Sequence, residues 1–146
     1  MRKFSFERLE VWQAAADLAV AVYRVADKFP ADERFELKSQ VRRAVHSVPT
    51  NIAEGTGRAT GKDQAYFSAI AYGSLVEVLN HLLIAVRYGY LTEEDVAPLR
   101  LRFSQVATKL GALRRSQLNS PGLNSRLAQE PPLDGYADDF TLPPLD

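Results

Sequence analysis

Apolar residues recur at spacings of three and four in four separate stretches of this chain, and no stretch shows the alternation of a half-buried strand. In the first, from about Glu7 to Lys28, the pattern is carried by Leu9, Trp12, Ala15, Ala16, Ala19, Val22, Tyr23 and Ala26. Phe29-Pro30 stops it, because the residue before a proline is pushed out of helical geometry. The second starts near Ala31-Asp32-Glu33, whose acidic side chains suit a helix N-terminus. It runs to about Glu54, where Gly55 and Gly57 offer a glycine stop. The third runs from about Lys62 to Tyr88, with Gly89 after it. The fourth starts at Thr92, where Thr-Glu-Glu-Asp offers an N-cap and an acidic first turn, and runs to about Gln117. Each segment holds roughly 22 to 27 residues, or roughly 33 to 40 Å of helix. Similar lengths and short connections predict an all-α fold, an antiparallel up-down-up-down four-helix bundle over residues 1–118.

Residues 119–146 break the pattern. Five prolines and two glycines without periodicity read as an irregular C-terminal tail, disordered or draped on the surface. Leu133, Tyr136, Phe140 and Leu142 are the side chains that would dock if the tail found a groove. The tail also changes the charge. Residues 1–118 carry 17 Lys/Arg against 13 Asp/Glu, whereas residues 119–146 carry Arg126 against five carboxylates, so a net charge of zero hides a body at +4 and a tail at −4. An acidic tail either solubilises the chain or competes with an anionic ligand for its body.

At 146 residues the chain is expected to form one domain with a real core. It has no cysteine, which excludes disulfide scaffolds, thiolate metal sites and thiol chemistry. The N-terminus lacks the apolar core of a signal peptide, and no apolar run approaches the ~18 residues that cross a bilayer. The expectation is a cytoplasmic protein without a membrane span.

The third segment carries a signal about assembly. On a helical wheel Phe67, Ala71, Leu75, Val78, Leu82 and Ala85 form one apolar stripe, and Ala65, Tyr72, Val76, Leu79, Leu83 and Val86 form a second beside it. Together they are wider than the ~100° stripe of a helix that buries one face. Either this helix is deeply seated in its own bundle, or its second face is buried against another copy of the chain.

The second segment holds the densest polar chemistry, Gln40-Val-Arg-Arg-Ala-Val-His-Ser-Val-Pro-Thr-Asn-Ile-Ala-Glu54. Leu37, Val41, Ala44, Val45, Val48 and Ile52 make its apolar face, and Arg43, Ser47, Asn51 and Glu54 fall in one column along its flank. With Glu77 and Ser74 of the third segment they predict an inter-helix polar network, Arg43 pairing with Glu54 or Glu77. Pro49 should kink or reset the helix, with Ser47 or Thr50 satisfying the freed groups. Catalytic arrangements fit poorly. His46 and Ser47 are neighbours that point about 100° apart, and no nucleophile elbow is present. A di-metal bundle needs repeated Glu and His motifs, but only Glu77-x-x-x-His81 occurs. The Glu54–Lys62 stretch has neither the strand nor the spacing of a phosphate loop. The reading is a protein that is not an enzyme and needs no metal or cofactor.

Basic residues offer a better lead. Arg42, Arg58 and Lys62 are expected around the turn between the second and third segments, with Arg114 and Arg115 near the end of the fourth and Arg2, Lys3 and Arg8 at the start. These are candidates for binding nucleic-acid phosphates, against the plainer reading of solvated surface charge.

The order of Leu9-x-Val11-Trp12-Gln13, Phe29-Pro30, Gln40-x-Arg42-Arg43-Ala44, Ser47-Val48-Pro49-x-Asn51-Ile52-Ala53-Glu54-Gly55 and Gly73-Ser74-Leu75-x-Glu77 resembles the family of four-helix-bundle proteins encoded in 23S rRNA intervening sequences. The resemblance covers about residues 4 to 116. It implies a small bundle that assembles as a homopentamer, with no catalytic activity. The accessory proteins of diversity-generating retroelements are distantly similar and form pentameric barrels that bind nucleic acid and a reverse transcriptase. By that likeness the chain reads as an oligomeric scaffold for RNA or DNA, or for a reverse transcriptase or other nucleoprotein partner. A ring of five would carry roughly twenty excess positive charges before its tails are counted, and repetition strengthens phosphate contacts. The alternative is a protein–protein interaction scaffold that binds no nucleic acid.

Overall fold

The computed structural model of the chain describes residues 2–120, apart from the side chain of Arg34. Most of them lie in four α-helices, α1 (Glu10–Ala26), α2 (Leu37–Thr56), α3 (Gly61–Arg87) and α4 (Glu93–Leu118). Short 3-10 helices at Phe6–Arg8 and Ala31–Phe35 precede α1 and α2, and no strand occurs among the described residues.

The spacing of buried residues explains the packing. On α3, residues 64, 68, 71, 75, 78, 82 and 85 are buried, in alternating steps of four and three. On α4, residues 96, 99, 103, 106, 110 and 117 keep the same rhythm. A heptad-like seam holds each helix against its neighbours at the shallow crossing angle of a four-helix bundle. Helix α2 packs on α1 and α3, and α4 packs on the same two, with the α2–α3 seam the most extensive. Leu18, Val45, Val48, Ile52, Leu82 and Leu110 are at most 1% exposed at the centre. Each such side chain contributes about 1.5–3 kcal/mol by leaving water. The fold is all-α, an antiparallel four-helix bundle in up-down-up-down order. The tail, residues 121–146, and the docking expected of Leu133, Tyr136, Phe140 and Leu142 lie outside the described residues.

The start of the second segment differs from expectation. Helix α2 begins at Leu37, because Glu36 sits at φ −112° and ψ −108° and separates it from the 3-10 helix Ala31–Phe35. The acidic residues Asp32 and Glu33 lie in the first turn of that 3-10 helix and not of α2. Glu33 Oε2 accepts the Leu37 N–H at 3.2 Å, and Glu33 Oε1 accepts the Tyr90 hydroxyl at 2.6 Å. One carboxylate thus caps α2 and ties it to the turn after α3. The same bond, with partial burial, pushes the Tyr90 phenol up to about 12.

Proline 49 lies inside α2, yet the helix continues through it to Thr56. Thr50 Oγ1 donates to the His46 carbonyl at 2.8 Å, and Asn51 Nδ2 donates to the Ser47 carbonyl at 2.8 Å. These bonds lie just beyond the Val45 carbonyl, which loses its usual donor to the proline ring. They brace the turn where a kink or reset was expected, the Thr50 hydroxyl serving the backbone as anticipated but at the His46 carbonyl.

The α3–α4 connection is specified locally. Gly89 adopts φ 77°, and Tyr90 N–H reaches Ala85 C=O at 2.9 Å while Gly89 N–H reaches Val86 C=O at 3.0 Å. That is the bonding of a Schellman turn, for which glycine is favoured. Helix α4 then starts with a reciprocal capping box between Thr92 and Asp95. Asp95 also pairs with Lys28 across the bundle. The Lys28 ammonium, with the Thr92 backbone N–H, holds the Asp95 carboxyl below its usual range.

Helix α3 passes one test for a membrane span, by length and composition alone. With a mean hydropathy of 1.6 over its most apolar stretch, it is long and apolar enough to cross a membrane. It is not an unbroken apolar run, because Ser74, Glu77, Asn80 and His81 interrupt it. Only 33% of that stretch is buried inside the bundle.

At the end of the bundle where α2 hands over to α3, Gly61 is pressed against α4. A Cβ there would lie 2.1 Å from the Gln117 carbonyl oxygen, a backbone atom that cannot swing aside. Gly61→Ala is therefore expected to force the α3 and α4 ends apart and cost about 1–3 kcal/mol. Urea denaturation followed by circular dichroism measures this, and a parent-like midpoint would show that the two helix ends are not held together.

Candidate nucleic-acid interface

Two constellations follow from this geometry, one crossing the α2–α3 seam and one at the end of the bundle. In the seam, Asn51 Nδ2 donates to Ser47 Oγ at 2.9 Å, and Ser47 Oγ lies 2.8 Å from Ser74 Oγ, either hydroxyl able to donate. Ser74 is buried and Ser47 and Asn51 half-buried, so the chain satisfies polar groups that water reaches poorly. The other members of the expected network lie elsewhere. Glu54 is exposed and pairs with Arg58, one turn further along. Glu77 is exposed and faces His81 Nε2 at 3.4 Å. Arg43 is exposed and pairs with neither carboxylate, so the expected ion pair is replaced by these local ones.

His46 and Ser47 do not meet either. The His46 ring packs edge-on against Tyr23 at 5.4 Å, while Ser47 is held by Asn51 and Ser74. No group of three acidic, His or Cys side chains able to hold a metal occurs among the described residues.

Helix directions decide which basic residues share a surface. The N-terminal segment, the α2–α3 turn and the C-terminus of α4 all lie at one end of the bundle. Arg58, Lys62, Arg114 and Arg115 are exposed there, as are Lys3 and Arg8. Arg42 is not among them. About 14 residues of α2, roughly 21 Å, separate it from Thr56. It donates from Nη2 to Asp27 Oδ1 at 2.9 Å and lies 4.8 Å over the Tyr23 ring, so its charge is spent locally near the opposite end.

The whole charge excess of the body follows this division. At the end formed by residues 2–10, 54–63 and 109–120, eight Lys/Arg stand against four Asp/Glu. At the opposite end, residues 24–43 and 87–95, seven stand against seven. The middle carries two of each sign, so the +4 belongs to one end.

That end is built rigidly. Arg58 lies 4.4 Å over the Phe67 ring, and its carbonyl accepts from Gln64 Nε2 at 2.8 Å. Asp63 N–H donates to Thr60 Oγ1 at 3.1 Å, which caps α3. Lys109 Nζ donates to Glu10 Oε2 at 2.6 Å and holds the Glu10 carboxyl below its usual range. Ser68 Oγ donates to Gln117 Oε1 at 2.7 Å, both residues 2% exposed. Sequence reasoning missed this pair. The signal was present, since Gln64, Ser68 and Gln117 each continue the heptad seam of their own helix.

Apolar surface is also unevenly placed. On α3, Tyr72 and Val76 are half exposed beside half-buried Leu79, Leu83 and Val86, so much of the second stripe is uncovered. A separate open groove of about 710 Å³ runs between α1 and α2, walled by Phe6, Trp12, Val20, Tyr23, His46 and Pro49. Asn51→Leu deletes both bonds to Ser47 in the seam and should cost about 1–3 kcal/mol. Ser74→Ala should cost less, since the Asn51–Ser47 bond survives. Thermal melts of the two variants check that order, and equal stability of Asn51→Leu and parent would make the seam network dispensable.

The comparisons with known proteins agree with the bundle. No curated protein matches the chain. A crystal structure of a protein of unknown function from the S23 ribosomal protein family of Bacteroides thetaiotaomicron is 19% identical, with a TM-score of 0.65, covering 72% of this chain and 98% of that one. At that identity the likeness shows the fold. The model of the 23S rRNA-intervening sequence protein family matches residues 7–112, which is more than half of the chain and all but the last turns of the bundle. This chain belongs to the 23S rRNA-intervening sequence protein family.

Proposed function

We propose that the chain is a non-catalytic, self-associating helical scaffold, acting in the cytoplasm, that holds RNA or DNA on the basic end of its bundle. The observation that carries this reading is the confinement of the +4 excess to one end, on side chains that project from helix termini. Backbone phosphates need such positive charge, with no base-reading pocket. Arg58, Lys62, Arg114 and Arg115 are the contacts, and Arg42 is withdrawn from the set by its place near the opposite end of α2. A ring of five copies, as the family resemblance implies, would repeat this end and multiply its contacts. A reverse transcriptase or other nucleoprotein would then be a partner met on the nucleic acid.

The face for self-association is the uncovered stripe of α3 around Tyr72 and Val76. Those two residues stand one turn apart and face the same way. The second reading, a scaffold for protein partners alone, is favoured by the α1–α2 groove, whose walls are mostly apolar, with Arg24 and Asp27 offsetting each other in charge.

Arg58→Glu with Lys62→Glu should weaken binding to duplex DNA or structured RNA at least tenfold at 50 mM salt. Each lost contact should also lower the slope of log K against log salt by about 1. Arg42→Glu should change neither. Fluorescence anisotropy measures both quantities, and equal affinity of the double variant and parent removes the basic end from the reading. Sedimentation equilibrium of the parent should give a multimer, and Tyr72→Glu with Val76→Glu should dissociate it without loss of helicity. A monomeric parent would sink the assembly face.

A further inference from the structure

We infer that the acidic C-terminal segment, residues 119–146, seats on the basic end of the bundle and competes there with nucleic-acid phosphates. The competition rests on the function proposed above, whereas the seat rests on charge and position alone.

Position comes first. Helix α4 ends at Leu118, so the segment leaves the bundle from the end that holds the excess positive charge. It leaves beside Arg114 and Arg115, which are exposed and pair with no described carboxylate. Lys62 is in the same state across the α3–α4 contact made by Gly61 and Gln117. Charge comes second. Residues 119–146 carry Glu130, Asp134, Asp138, Asp139 and Asp146 against Arg126 alone, a net of −4 that matches the +4 of this end. The opposite end is balanced and offers no such attraction.

Reach is ample. Glu130 lies 12 residues beyond Leu118. At up to about 3.3 Å per residue it spans as much as about 40 Å. Two helices packed side by side are only about 10 Å apart. Tethering keeps these carboxylates at a high effective concentration over the lysines and arginines, where a free acidic peptide would be dilute. Salt screens such contacts over about 10 Å at 0.1 M, so the seat is strong at low salt and weak at high salt. The segment also lies beyond the family-matched stretch, residues 7–112.

The first test needs no nucleic acid. Carbodiimide joins lysine amines to carboxylates in contact. On the full chain at 50 mM salt, it is expected to link tail carboxylates to Lys62 and Lys3 in preference to Lys28 and Lys38 at the opposite end. Peptide mass spectrometry reads the links, and 300 mM salt should reduce them several-fold. Links spread evenly over both ends, or none from the tail, overturn the seat.

The second test uses the full chain with Glu130→Gln, Asp134→Asn, Asp138→Asn and Asp139→Asn. Its affinity for duplex DNA at 50 mM salt should exceed the parent's at least threefold, and the ratio should approach one at 300 mM. Equal affinity at low salt overturns the competition. If neither protein binds nucleic acid while the Lys62 links form, the proposed function falls and the seat of the tail stands.

Discussion

The α2–α3 seam is the contact on which the rest of this structure depends. It is the most extensive helix pair in the bundle. Val41, Val45, Val48 and Ile52 from α2 share one core with Ala71, Leu75, Val78 and Leu82 from α3. Close-packed interiors tolerate no slippage by a residue, and the Ser47–Ser74 hydroxyl pair adds a polar key at mid-seam. Once α2 and α3 are fixed as an antiparallel pair, α1 and α4 have only the remaining grooves to fill. The positions of the chain ends follow, and with them the meeting of the N-terminal segment, the α2–α3 turn and the α4 terminus.

Polar residues inside such a seam are costly unless each finds a partner. Ser68 and Gln117 meet that demand together at the basic end, and Gln64 meets it by donating to the Arg58 carbonyl. Apolar residues would bury more favourably in those positions. What the polar pairs add is a fixed relation between the α2–α3 turn and the last turn of α4, where Gly61 lets the backbones approach. Such an end fixes the backbone positions from which Arg58, Lys62, Arg114 and Arg115 project. That suits contacts whose strength depends on several charges acting at once.

Much of this was legible in the sequence because it is local. The periodicity of apolar residues located all four helices, Gly89 and Thr92 marked the turn into α4, and the column Ser47–Asn51 follows from helical spacing alone. What escaped is what tertiary contacts decide. Acidic residues 32 and 33 look like a helix start, yet Glu33 is drawn to Tyr90, 57 positions away, and α2 begins later. Arg43 looks poised for Glu54, but Arg58 reaches that carboxylate first from one turn away. Arg42 reads as part of the turn cluster, although it is anchored by Asp27 and Tyr23 near the other end. Gln117 was visible as a seam position, but its partner Ser68 could be named only once α3 and α4 were set side by side.

A formal charge of zero would ordinarily argue against a polyanion-binding protein, and here the argument fails on length scale. Helix α3 alone spans 27 residues, or about 40 Å. At physiological salt, charges are screened within about 8 Å, so the balanced end and the basic end do not sense each other. A phosphate approaching Lys62 and Arg114 meets the local excess, not the molecular sum. An acidic stretch of sequence, residues 119–146 at −4, follows Leu118 at that same end. Net charge alone therefore says little about what each end of this bundle attracts.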